Sequence, residues 1–164
     1  MFRKMRRFRQ ELSAAEARRV LEQGSCGVLA CAGDDGYPYA VPLSYVFHDG
    51  HIYFHSAVEG HQIDAIRGCE KVSFCVVAQD QVVAEELTTY FRSAVAFGRA
   101  RLVEDEAERR GPLMCLGLKY GPGMDDFVQK HIDDEIHRTA LVDIQIEHLT
   151  GKEAIELTRR RSKS

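Results

Sequence analysis

Residues 26–56 read CGVLACAGDDGYPYAVPLSYVFHDGHIYFHS, and the punctuation in this stretch decides the fold class. A short apolar run (26–32) meets Gly33-Asp34-Asp35-Gly36, whose residues favour the positive φ of a tight turn. A strand over 37–47 follows, then the turn His48-Asp49-Gly50, then a β-branched and aromatic strand over 51–56. Three strands joined by turns this short make an antiparallel meander. Working outward, Ser13-Ala14-Ala15-Glu16 has the spacing of a capping box and opens a helix over 13–23 that Gly24 ends. Downstream, Ile63 and Ile66 share one face of a short helix over 60–67, and 71–78 and 88–103 read as strands. The stretch 104–120 has helical character that Gly111-Pro112 should break. The acidic stretch 121–136 holds another helix, and 139–148 alternates apolar and polar as a half-buried strand. Six strands with few helices predict a mainly β fold, a closed or nearly closed antiparallel barrel with flanking helices. A doubly wound fold is disfavoured, because helices and strands do not alternate and no glycine-rich phosphate loop follows the first strand.

A length of 164 residues predicts one domain over 1–164, and 45% hydrophobic with 29% charged residues is a globular composition. No apolar run approaches the roughly 20 residues of a membrane helix, and no signal-like segment opens the chain, so a cytoplasmic location is expected. Five cysteines, most of them in apolar runs, read as free thiols. The net charge of −3 is unevenly spread. A basic arm over 1–10 (Arg3, Lys4, Arg6, Arg7, Arg9) and a basic tail over 158–164 (Arg159, Arg160, Arg161, Lys163) flank a body with 13 basic residues against 25 acids. Such ends can bind an anionic cofactor or nucleic acid, or pair with the acidic body. That acidic body argues against a broad nucleic-acid footprint.

Three places could carry chemistry. In 37–47, alternation puts Tyr39, Val41, Leu43 and Tyr45 on one face and Ala40, Pro42, Ser44 and Val46 on the other. Pro42 requires an edge, a bulge or a broken ladder. The small face could admit a flat ring or simply mark a barrel corner. The segment from His55 and Ser56 to Gly60, His61 and Gln62 runs from a strand end into a helix start, where bare N–H groups and side-chain donors suit a phosphate. Tyr90, Arg92 and Ser93 open the strand over 88–103. There Arg92 could hold an anion as a fork or pair with Glu85 or Glu86. His48, His51, His55 and His61 lack tight metal-ligand spacing, so no metal is expected, and no cysteine has the basic neighbours of a nucleophile.

These motifs together resemble a known family. Residues 36–45, Ile52-Tyr53-Phe54-His55-Ser56-Ala57 with Gly60-His61, and Thr89-Tyr90-Phe91-Arg92-Ser93 with Phe97-Gly98-Arg99-Ala100 are similar to the nitroimidazole-resistance proteins, members of the pyridoxamine 5′-phosphate oxidase-like flavoproteins. Met5-Arg6-Arg7 and Thr150-Gly151-Lys152-Glu153-Ala154 extend the likeness over nearly the whole chain. The resemblance implies a split β-barrel and a homodimer with FMN, or alternatively FAD, at the subunit interface. It places Val41, Pro42, Leu43 and Ser44 against the flavin ring, and His55, Ser56, His61 and Gln62 near the ribityl phosphate or ring edge. Tyr90, Arg92 and Ser93 would come from the same site, in one chain or its partner. It also implies His55 as the reactive residue, and an FMN-dependent reductase that takes electrons from a small-molecule donor and reduces nitroaromatic or nitroimidazole-type acceptors. Many family members carry Lys where this chain has Gln62, which exchanges a charge for neutral donors; Arg67 or Arg92 could compensate. A non-catalytic flavin-binding or haem-binding protein of the same fold is the alternative.

Overall fold

The computed structural model describes residues 1–161; Lys163 of the basic tail lies outside the described residues. The elements run α1 (Ala14–Gln23), β1 (Gly27–Ala32), β2 (Pro38–Leu43), β3 (Val46–His48), β4 (His51–Ala57), α2 (His61–Gly68), β5 (Lys71–Val83), β6 (Thr88–Leu102), α3 (Glu106–Tyr120), α4 (Asp125–Glu135), β7 (Thr139–Glu153) and α5 (Ile155–Arg161). The strands form one antiparallel sheet in the order β2-β1-β5-β6-β7-β4-β3. The mainly β architecture with flanking helices is the expected one, and the capping box is present in full, with Ser13 and Glu16 bonding each other's backbone N–H.

The expected barrel differs in two respects: the sheet has seven strands rather than six, and its ladder stays open between β2 and β3. The cause lies at Ser44-Tyr45, where the predicted strand over 37–47 divides. The Tyr45 N–H donates to the Tyr120 hydroxyl (3.0 Å), the Tyr45 carbonyl accepts from Lys119 Nζ (2.8 Å), and the buried Tyr45 hydroxyl donates to the Leu21 carbonyl (2.6 Å). Helices therefore hold the corner's backbone, and the chain leaves one sheet edge and re-enters at the other. Three peptide steps span at most roughly 11 Å, so the two edges must curl toward each other. Pro42 sits in edge strand β2, where its missing N–H costs no ladder bond on the open side.

Three other boundaries move. Pro112 lies inside α3 rather than ending a helix. It forfeits one i→i−4 bond, but burial of Leu113 against Val128 and Ile132 of α4, together with burial of Leu116, offsets that loss. Gly117 allows this approach, since a Cβ there would lie 2.4 Å from Val128 Cγ1. β5 runs on to Val83 as an arm with β6 past a bulge near Ala78, and β7 continues to Glu153. The latter extension includes Gly151, where a Cβ would meet Ala17 and Leu12 at 2.9–3.0 Å, so α1 packs directly on this strand.

The core lies on the concave face of the sheet. Ile52, Phe54, Phe74, Val76 and Ile144 meet Val20 and Leu21 of α1 and Ile63 and Ile66 of α2, so the two helices plug the curl. A second apolar cluster, with Leu113, Val128, Ile132 and Leu141, joins α3 and α4 to the convex face beside β4 and β7. Among the described residues, no helix is long and apolar enough to cross a membrane.

Candidate functional site

Strand alternation along β4 sends Ile52 and Phe54 into the core and turns His51, Tyr53 and His55 outward, toward the α3–α4 hairpin. His55 and Ser44 thereby reach a common cavity of about 440 Å³, roofed by Leu113, Leu116, Tyr120, Phe127, Val128 and His131. Among the described residues no Lys or Arg lines it, and the one carboxylate that does, Glu135, is engaged by Arg138. The cavity therefore suits an uncharged apolar molecule held by a few polar groups. Sequence reasoning missed the roof, because a helix expected to end at Pro112 presents no continuous face. Phe127 and His131, four residues apart and stacked with ring centroids at 6.3 Å, were the legible signal.

The start of α2 docks beside β2. His61 stacks on Tyr39 with ring centroids 4.2 Å apart, and its Nε2 lies 3.6 Å from an Asp34 carboxylate oxygen. Gly60, at φ +133°, precedes the helix and offers no side-chain cap. The first turn contains Gln62, whose Nε2 is buried and has no hydrogen-bond partner among the described residues. An orphaned amide donor at an uncapped helix start fits an anionic group. β2 joins the two places: Ser44 at the cavity lies five residues beyond Tyr39, roughly 17 Å along an extended strand. Ala40 and Pro42 line the exposed face of β2 between these ends, while Val41 and Leu43 pack inward on the core. Ser56 follows the inward parity of Phe54.

Tyr90, Arg92 and Ser93 are not brought to this place. Arg92 forks onto Glu153 (Nε 3.2 Å, a terminal nitrogen 2.9 Å), a fully buried carboxylate, rather than onto Glu85 or Glu86. The second Glu153 oxygen has Arg161 at 3.2 Å, inside ion-pair range but outside hydrogen-bond geometry. The Tyr90 hydroxyl donates to Glu86 (2.8 Å) and accepts from Arg160 (3.2 Å). His55 pairs with Leu141 and Arg92 with Glu153, positions twelve residues apart on β7.

Two unforeseen polar clusters flank the cavity. Buried Asp143 accepts from His51 Nδ1 (2.7 Å) and Arg101 Nε (3.0 Å), and burial, reinforced by Asp143, pushes the Tyr53 phenol up. The Lys119 ammonium donates to the Gly24 and Tyr45 carbonyls and sits 4.0 Å over the Tyr45 ring; desolvation pulls its pKa down. Burial pushes the Cys31 and Cys75 thiols up, which makes both poor nucleophiles.

The chain is similar to several solved structures. One is an FAD-binding protein from Mesorhizobium loti, 30% identical over 88% of this chain and 96% of that one, with a TM-score of 0.64. Another is a candidate 5-nitroimidazole antibiotic resistance protein from Bacteroides thetaiotaomicron, 19% identical over 87% and 86% of the two chains (TM-score 0.72). A third is an FAD- and haem-binding protein from Mycobacterium smegmatis, 20% identical over 88% and 73% (TM-score 0.75). At the lower identities the likeness concerns the fold. No curated protein matches the chain. The pyridoxamine 5′-phosphate oxidase family model matches residues 13–153, and the protein belongs to that family.

Proposed function

We propose that the protein binds a flavin along β2, as a homodimer, and reduces small uncharged acceptors of the nitroaromatic or nitroimidazole type with electrons from a small-molecule donor. The observation that carries this reading is the buried, partnerless Gln62 amide at the bare start of α2. It supplies a phosphate donor at one end of β2, while Ser44 and His55 open a largely apolar cavity at the other. Family membership and the FAD-binding relative at 30% identity support a flavin. We take FMN as the cofactor, with FAD as the alternative.

When bound, the flavin would supply hydride or electron transfer. The chain's own residues do the rest. His61, Gln62 and the first α2 N–H groups hold the phosphate, and Ala40 and Pro42 give a ring a flat surface without competing side chains. His55 orients the acceptor and holds a proton at an imidazole nitrogen in the cavity, and the α3–α4 roof excludes water.

The dimer has its own support. The convex face of β1, β5 and β6 exposes Val28, Val77 (57%) and Phe97, next to Ala40 and Pro42 across the β1–β2 ladder. A second chain covering this face would let Tyr90, Arg92 and Ser93 approach the partner's β2. The test is reduction of a nitroimidazole by the flavin-loaded protein supplied with reduced nicotinamide dinucleotide. His55→Ala should keep flavin and lose at least tenfold in turnover. Stoichiometric flavin without acceptor-dependent reoxidation would favour the non-catalytic reading, and a Soret band the haem-binding one.

A further inference from the structure

The N-terminal arm folds back so that Arg6, Arg7, Phe8, Arg9, Gln10 and Ile155 line an open cavity of about 340 Å³ that shares no lining residue with the one at His55. Its charge is unbalanced. Arg92, Arg99, Arg101, Arg110, Arg138 and Arg161 all pair with carboxylates, whereas among the described residues Arg6, Arg7 and Arg9 make no ion pair and no acid lines the cavity. Three exposed arginines lining one space, with no carboxylate paired to them among the described residues, leave positive charge that an anion would neutralise, and planar guanidinium forks match phosphate oxygens. Between them Phe8 presents an aromatic ring that is 68% exposed. The floor holds Gln10, only 5% exposed, with its Oε1 buried and partnerless, an acceptor that awaits a donor.

Phosphate forks, a stacking ring and an orphaned acceptor are together the parts of a nucleotide site. We propose that this cavity binds the adenosine diphosphate portion of a dinucleotide. The phosphates would lie on Arg6, Arg7 and Arg9, the base on Phe8, and a hydroxyl or amino group of the ligand would donate to Gln10 Oε1. Inorganic phosphate alone would leave Phe8 and Gln10 unused, and an apolar ligand would leave the arginines unneutralised. The same chemistry has two sources here, the adenylate end of FAD or a reduced nicotinamide donor. ADP contains the shared part and needs no flavin to bind, so the site stands or falls apart from the flavin reading.

Calorimetric titration of the purified full-length protein with ADP, adenosine, inorganic phosphate and a single-stranded oligonucleotide tests it, with Arg7→Glu and Phe8→Ala checked for unchanged circular dichroism. The expected result is ADP binding stronger than adenosine or phosphate and at least tenfold weaker in both variants. A preference for FAD over FMN that disappears in the variants assigns the flavin's adenylate; competition between ADP and the reduced nicotinamide dinucleotide assigns the donor. ADP that fails to bind at millimolar concentration, or binds the variants unchanged, overturns the site. So does phosphate binding as well as ADP, or an oligonucleotide that binds more tightly than ADP and is lost in the same variants.

Discussion

A glutamine amide offers a phosphate neutral donors where a lysine would offer a full charge, and Gln62 keeps its Nε2 buried with nothing to bond. Gln62→Lys should therefore tighten flavin binding by about tenfold, equivalent to roughly 1.4 kcal/mol, while Gln62→Leu weakens it, both read by fluorescence titration. Unchanged affinity in both would remove Gln62 from the cofactor site. Sequence made Gln62 and His55 visible as donors and Ser44 as part of a small strand face, but not their surroundings. That Arg92 is spent on Glu153 depends on a contact between β6 and the end of β7, which no local pattern encodes.

At the scale of elements, α1 is held by its cap. Glu16 accepts from Arg161 and from Ser13, and these bonds hold its carboxyl down at about 2. The folded value lies below the unfolded one of about 4.3, so the stabilisation is present above pH 4.3 and is lost as pH falls toward 2. Urea midpoints of the native protein and Glu16→Gln should differ at pH 7 and converge near pH 2. A gap that persists at low pH would contradict the assignment. In α3, Pro112→Ala restores the missing bond to the Glu108 carbonyl. It should raise stability by roughly 1–3 kcal/mol, or about 2–4 °C in Tm per kcal/mol, in a thermal melt. Helices α1 and α2 were legible because caps and periodicity are local. Pro112 misled because burial of Leu113 and Leu116 beyond it outweighs a local breaker.

For the whole molecule, the decisive feature is an edge-to-edge turn. Ser44-Tyr45 carries the chain from the first strand of the sheet to the last, and the resulting curl sets a helix start at one end of β2 and a cavity at the other. The strands on either side were readable from alternation and Asp-Gly turns. The division at Tyr45 was not, since it is imposed by Leu21, Lys119 and Tyr120 from distant segments. On the convex face, Val28→Asp places a charge in the proposed dimer contact, where burial would strip it of water. Light scattering should then report a monomer with reduced flavin retention. A variant that remains dimeric would place the subunit contact elsewhere.

Flavin binding along β2 is tested most directly by an absorption spectrum of the protein as purified and after incubation with FMN and with FAD, followed by identification of what heat releases. The expected result is flavin bands, a stoichiometric flavin released on heating, and weaker retention in Gln62→Leu. A protein that stays colourless after incubation with both flavins would contradict it.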